Sequence, residues 1–195
     1  MGLRDILTGR HAVKGPAADH LFAITTAYVD LQAEHQIAPT GTAAIVFQAL
    51  ATSEFEETLR DMEEVVKATC ADSGMSVSTE DDEYGYRWMI LRNNVDTPSV
   101  EDLAVGINAV SGSIETAGHG ERLLCAVFGF EDAQKRRVYF IYNYKRGYWY
   151  PFVPDPDNAK QRLTERELQL KAQVGSELPL EPEIERWFPL WGIPI

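Results

Sequence analysis

The residues of this chain that could serve a catalytic or metal site are four histidines, two cysteines and one run of acids. The histidines are His11, His20, His35 and His119. No two of them stand at metal-ligand spacing on one helix face. His119 lies between two glycines, without an acid or nucleophile placed to act with it. We therefore interpret His119 as a surface histidine rather than a catalytic one.

The two cysteines are Cys70, on a predicted helix face, and Cys125, in an apolar predicted strand. Neither belongs to a CxxC pair or a Cys/His cluster. This usage favours two buried free thiols in a reducing compartment over a disulfide between them.

The acidic run Glu80–Glu83 could bind a hard cation through its carboxylate oxygens. It lacks the glycine-punctuated spacing of a calcium loop, which favours a solvated turn between two strands that also discourages edge pairing. The chain has no P-loop, no GxGxxG after a strand, no GxSxG and no HExxH. We expect no catalytic residue, no metal and no cofactor.

Two basic turns are the first candidate contact surface. Residues 134–147 carry five positive charges and no acid, in Lys135-Arg136-Arg137 and Lys145-Arg146. The two turns lie at opposite ends of a strand of about eight residues, roughly 25 Å apart, so they cannot form one compact site. The second turn is flanked by aromatic side chains and could contact an acidic partner. Its candidate contacts are Tyr144, Lys145, Arg146 and Trp149.

The second candidate surface is the C-terminal sequence WFPLW. Trp187, Phe188 and Trp191 are of the residue types that anchor protein interfaces. The same types are also typical of an arm packed on its own sheet, and we favour self-packing.

Bulk properties restrict the classes of partner. The formal net charge of −12 argues against nucleic acid, whose phosphates need a basic face, and against broad adhesion to anionic lipid. No run of about 18 apolar residues predicts a transmembrane helix. We expect a cytoplasmic protein of 195 residues, with one domain or one domain plus an extension. A short amphipathic turn within residues 1–16 is either a capping helix or a small membrane or partner foot.

Hydrophobic periodicity predicts alternating helices and strands. The predicted helices cover 18–36, 54–72, 99–117 and 157–173, and the predicted strands cover 42–50, 75–80, 84–93, 123–130, 138–144 and 149–153. Ser53 with Glu56 and Ser99 with Asp102 form the expected capping boxes. The last strand contains Pro151 and should therefore lie at a sheet edge.

This order predicts an α+β fold with a mostly antiparallel sheet of five to six strands and helices packed on one face. It is a ferredoxin-like order extended by a hairpin, and is loosely like that of secretion chaperones. We divide the chain into an α+β domain over 1–154, with its N-terminal helices, and a helix with a Pro/Trp-rich arm over 155–195. The arm should wrap the domain or dock on a partner.

Five stretches of sequence resemble a known family. They are MGLRDILTGR with VKGPAADHLFAITTA, DDEYGYRWMILR, RLLCAVFGFED, VYFIYNYKRGYWYPFVP and LPLEPEIERWFPLWGIPI. Together they resemble the PspA-associated protein family PspAB, over essentially the whole chain. The resemblance implies association with the phage-shock protein A system, which responds to cell-envelope stress, and it carries over no catalytic residue.

Three functional hypotheses follow. The first is a non-enzymatic cytoplasmic adaptor or regulator of the PspA envelope-stress response, with a PspA-family or associated stress-response protein as its partner. The second is a small-molecule-binding protein or enzyme, with a site between helices and sheet near Arg87, His119 or Asn143. The third is a homodimer that pairs sheets or exchanges arms.

Overall fold

The computed structural model describes residues 18–50, 52–71, 74–93, 98–158, 160–175 and 177–195. The amphipathic turn expected within residues 1–16 lies outside these ranges. The helices are α1 (Ala18–Phe22), α2 (Ile24–His35), α3 (Ser53–Ala71), α4 (Val100–Thr116) and α5 (Thr164–Val174), with short 3₁₀ turns at Gly120–Arg122 and Ile184–Arg186. The strands are β1 (Ala38–Gln48), β2 (Met75–Asp81), β3 (Tyr86–Asn93), β4 (Leu123–Glu131), β5 (Arg137–Asn143) and β6 (Tyr148–Phe152).

All six strands form one antiparallel sheet in the order β2-β3-β1-β4-β5-β6. The first four strands have the ferredoxin-like arrangement, and the β5–β6 hairpin extends the sheet beyond β4. The predicted α+β class and antiparallel sheet are therefore confirmed. The predicted edge position of the proline-containing strand is also correct, because β6 closes one side of the sheet.

Both faces of the sheet are covered, but by different parts of the chain. The helices pack on one face, over a core that includes Phe47, Phe128 and Phe140. The opposite face forms a second apolar cluster that includes Val127, Ile141 and Phe152. Since successive strand residues point to opposite faces, burial on both sides explains the unbroken apolar runs of β1 and β4.

Some predicted boundaries are wrong, for identifiable reasons. β1 begins at Ala38, four residues before the predicted start of this strand at residue 42. The Thr40 hydroxyl donates to the Gly129 carbonyl at 3.0 Å, which ties this irregular start to β4. The helix expected over 157–173 begins only at Thr164, because the chain first runs back along β6, where Pro154 bridges Arg162.

The helix caps agree with the predicted capping boxes in one case of two. The Ser99 hydroxyl accepts from the Asp102 amide at 3.0 Å, as expected. For α3 the capping hydroxyl belongs to Thr52, which accepts from the Phe55 amide at 3.3 Å, so Ser53 is already inside the helix. The predicted helix 18–36 is interrupted at Ala23, which separates α1 from α2. Among the described helices, none is both long and apolar enough to cross a membrane.

Candidate interaction surface

The segment Leu178–Trp187, which we call the arm base, is held on the open edge of β6. Trp149 donates its amide to the Pro179 carbonyl at 2.9 Å, and the Glu181 amide donates to the Trp149 carbonyl at 2.8 Å. These two bonds make a parallel bridge between Trp149 and Leu180. The arm base therefore satisfies backbone groups that an exposed edge strand would leave open.

A buried carboxylate fixes the arm base to the β5–β6 hairpin. The Arg146 guanidinium donates to both carboxylate oxygens of Glu181, at 2.8 and 3.1 Å. Glu181 is buried, whereas the Arg146 side chain is one-third exposed. The hydrogen bond from Arg146 lowers the pKa of Glu181, so this acid is ionised at neutral pH.

A second buried acid joins helix α5 to the same edge. Glu167 is fully buried and accepts from the Val153 amide at 2.9 Å. The Arg162 guanidinium donates to the Glu167 carboxylate, at 2.8 Å in its shorter Nε contact, and also donates to the Trp187 carbonyl. Arg162 thus connects α5, β6 and the arm base.

The arm base ends at Trp187, which is buried between charged neighbours. The indole of Trp187 donates to the Glu181 carbonyl at 3.0 Å. The ammonium of Lys171 lies 5.7 Å from the centre of the Trp187 ring, a cation–π distance. Burial and a satisfied indole N–H make Trp187 a packing anchor of the protein itself.

The last eight residues, Phe188–Ile195, which we call the arm tip, cross the second face of the sheet. Leu190, Trp191, Ile193 and Ile195 pack against its apolar cluster while remaining partly exposed. The Trp191 ring lies edge-on to Phe152, with centroids 5.3 Å apart. The tip therefore covers apolar sheet surface that water would otherwise reach.

One aromatic side chain of the arm points into solvent. Phe188 is 57% exposed, and Ile184, in the arm base, is 40% exposed. Both belong to the same short stretch of the arm, on either side of the buried Trp187. An exposed aromatic residue beside a fixed anchor has the composition of an interface contact.

The structure separates the seven candidate contact residues into two groups. Trp149 and Trp187 are buried and offer no surface to a partner in this conformation. Tyr144, Arg146 and Trp191 are partly exposed, and Lys145 and Phe188 are exposed. Arg146, Trp149 and Trp187 meet at Glu181, although sequence alone placed them in two separate surfaces.

The basic turns are less basic than their sequence indicates. Lys135 pairs with Glu131, and Arg136 pairs with the buried Asp132, within one turn. Arg146 is neutralised by Glu181 of the arm base. Three of the five positive charges in residues 134–147 are therefore paired with acids of this chain.

Each of the three residues proposed for a small-molecule site has a structural contact of its own. Arg87 is paired with Asp81 and Glu56 at the surface. His119 packs edge-on to Phe55, with centroids 4.8 Å apart. Asn143 caps the β5–β6 turn by accepting the Lys145 amide at 3.0 Å.

An open groove of about 650 Å³ lies elsewhere, between α3 and α4. Its walls include Asp61 and Met62 from α3 and Asn108 and Gly112 from α4, and it contains none of the three residues of the proposed site. Its lining mixes polar residues with small apolar ones, and the hydroxyls of Ser113 and Thr116 donate to backbone carbonyls of their own helix.

The acidic run between β2 and β3 has a structural role. Asp82 accepts the amides of Tyr84 and Tyr86 and the indole N–H of Trp88, each at 2.9 Å. Asp81 pairs with Arg87, which lowers the Asp81 pKa. Within the described residues no group of three or more potential metal ligands is assembled.

Cys125, on strand β4, is a free thiol. Cys125 is buried in the second apolar cluster, and burial raises its pKa to about 12, so it is a poor nucleophile. The side chain of Cys70 lies outside the described set, and its state stays a prediction.

Comparison with known proteins yields one finding. The family model of PspA associated protein B, PspAB, matches residues 1–195. No curated protein and no solved structure gives a significant match. Since the family model spans all 195 residues, the chain belongs to the PspAB family.

Proposed function

We propose that this protein is a non-enzymatic adaptor or regulator of the PspA envelope-stress response, working in the cytoplasm and docking a PspA-family or associated stress-response protein. Membership of a family described as associated with PspA supports a protein partner in that system. The free, buried thiol of Cys125 suits a reducing compartment.

The observation that carries the proposal is the exposure of Phe188 directly after Trp187, the fixed anchor of the arm base. The neighbouring Trp187 is buried and fixed through Glu181 and Arg162, so Phe188 is presented from a defined position. Presenting an aromatic side chain from an ordered support reduces the entropy cost of binding.

The proposal is tested by titrating the full-length chain with a purified PspA-family protein from the same organism in a calorimeter. We expect Phe188→Ala to weaken binding at least about tenfold, because an aromatic anchor is lost. Val105→Ala is the matched control, since Val105 is 50% exposed but lies on helix α4, on the other side of the sheet.

Three results would count against the proposal. They are no binding by the wild type, equal affinity of the Phe188→Ala variant, and an equal loss in the Val105→Ala variant. Light scattering in the same buffers also tests for a homodimer, since self-association through the arm would make the apparent affinity depend on the concentration of this chain.

A further inference from the structure

The two halves of the arm are attached to the domain very differently. The arm base has backbone pairing with Trp149, a buried ion pair at Glu181 and the buried indole of Trp187. Across the described residues, no backbone–backbone hydrogen bond involves 188–195. Within the part of the chain that the structure describes, backbone pairing of the arm therefore ends at Trp187.

In the described ranges, two side-chain hydrogen bonds hold the tip at its far end. The Tyr139 hydroxyl donates to the Ile195 carbonyl at 2.8 Å, and Arg92 donates to the Pro194 carbonyl at 3.4 Å. The remaining attachment is apolar contact by side chains that stay partly exposed. Segments with few buried contacts and few hydrogen bonds open at a free-energy cost well below that of global unfolding.

The composition of the tip suits capture as an extended segment. Pro189 and Pro194 keep the chain from forming a helix and limit the entropy lost when it is bound. Trp191 and Ile193, partly covered while the tip lies on the sheet, would become fully available once it lifts. Proline-punctuated aromatic segments have few alternative conformations to lose on docking.

We propose that the arm tip, Phe188–Ile195, is a hinged segment that lifts from the sheet about the fixed Trp187, and that the lifted tip is the form that the protein partner takes up. This inference rests on the proposed function for the identity of the partner. It adds that the closed tip restrains binding, because the partner must first displace it from the sheet.

Capture of the lifted tip and binding to the closed arm predict opposite directions for one change in affinity. Tyr139→Phe removes the hydrogen bond from the Tyr139 hydroxyl to the Ile195 carbonyl and leaves the ring in place. It therefore raises the lifted fraction, and we expect it to tighten binding of the purified PspA-family protein about three- to tenfold. If the partner bound the closed arm, the same change would leave the affinity equal or lower it.

The matched control is Tyr142→Phe. Tyr142 lies on the same strand, but its side chain belongs to the helix-side core. Removing its hydroxyl alters no contact with the tip, so the affinity should not change.

A synthetic peptide of residues 186–195 should compete with the full-length chain for the same partner. Its failure to compete, or an affinity of Tyr139→Phe at or below the wild-type value, overturns capture of the lifted tip.

Lifting itself is measured without any partner. In protein labelled with 5-fluorotryptophan, the Trp191 signal is assigned by loss in Trp191→Phe. We expect Tyr139→Phe to shift it toward a solvent-exposed environment while the Trp187 signal stays fixed. An unchanged Trp191 signal, or equal shifts of both signals, overturns the hinge. Absence of any wild-type binding overturns the proposed function instead, so the two failures are distinguishable.

Discussion

Removing the carboxylate of Glu167 should weaken the whole edge on which the arm is built. This side chain is fully buried and accepts hydrogen bonds from the Val153 amide and the Arg162 guanidinium. Glu167→Ala leaves the buried amide without its acceptor and leaves Arg162 without its counter-ion. It also frees Arg162 from the position in which it holds the Trp187 carbonyl.

The expected magnitude follows from what each partner loses. Breaking a buried ion pair by deleting one member costs about 3–5 kcal/mol. The Arg162 side chain is 21% exposed, so water replaces part of the lost interaction and the lower end, about 3 kcal/mol, applies. For a chain of this size that corresponds to a fall in Tm of roughly 6–12 °C.

The assay is urea unfolding followed by tryptophan fluorescence and far-ultraviolet circular dichroism. Glu165→Ala is the control, because Glu165 lies on the same helix and is exposed, so the change should stay within about 0.5 kcal/mol. Glu167→Gln should fall between the two, since its amide oxygen still accepts from Val153. A cost below about 1 kcal/mol for Glu167→Ala would refute the role assigned to this acid.

Two further changes test the energetics of the arm and of the core. The pKa of Glu181 is lowered by its hydrogen bond from Arg146, so its carboxylate stabilises the fold above its ordinary pKa, and this contribution is lost as the pH falls through the lowered value. Urea unfolding at a series of pH values below 5 should therefore show a smaller decline in Glu181→Gln than in the wild type. The Tyr142 hydroxyl is buried without a hydrogen-bond partner among the described residues. Tyr142→Phe should accordingly leave the free energy of unfolding unchanged or raise it by up to about 1 kcal/mol in the same urea assay, and a clear loss would reveal a hidden partner.

The sheet could be predicted because its signals are local. Alternation over β3, the apolar run of β4 and the proline of β6 each determine a strand and its position from a few neighbouring residues. The turn between β5 and β6 is equally local, because Gly147 supplies its left-handed residue, with φ +71°. Each of these features depends on backbone chemistry within one hairpin.

The contacts that hold the arm base on the domain could not be predicted, because they join residues that are far apart in the sequence. Glu167 and Glu181 have the sequence appearance of ordinary solvated acids in a polar helix and a proline-rich tail. Glu181 pairs with Arg146, 35 residues away, and nothing in either neighbourhood indicates burial. The burial of Trp149 was missed for the same reason, since its indole lies in the helix-side core and donates to the carbonyl of His20, 129 residues away. The one available signal was the dense apolar content of the tail, which favoured self-packing.

The difference between the two sheet faces has a consequence for how this protein can respond to a partner. The helix-side core is closed by long amphipathic helices whose removal would require unfolding. The other face is covered at its apolar surface by a tip whose side-chain hydrogen bonds, among the residues that the structure describes, are the two from Tyr139 and Arg92. A partner can therefore rearrange this face at the cost of the tip contacts alone, while the base clasped by Glu181 and Glu167 keeps the arm attached. A protein that works by displacement of a covering segment needs no catalytic group. In this protein the segment that would change position is the arm tip, C-terminal to Trp187.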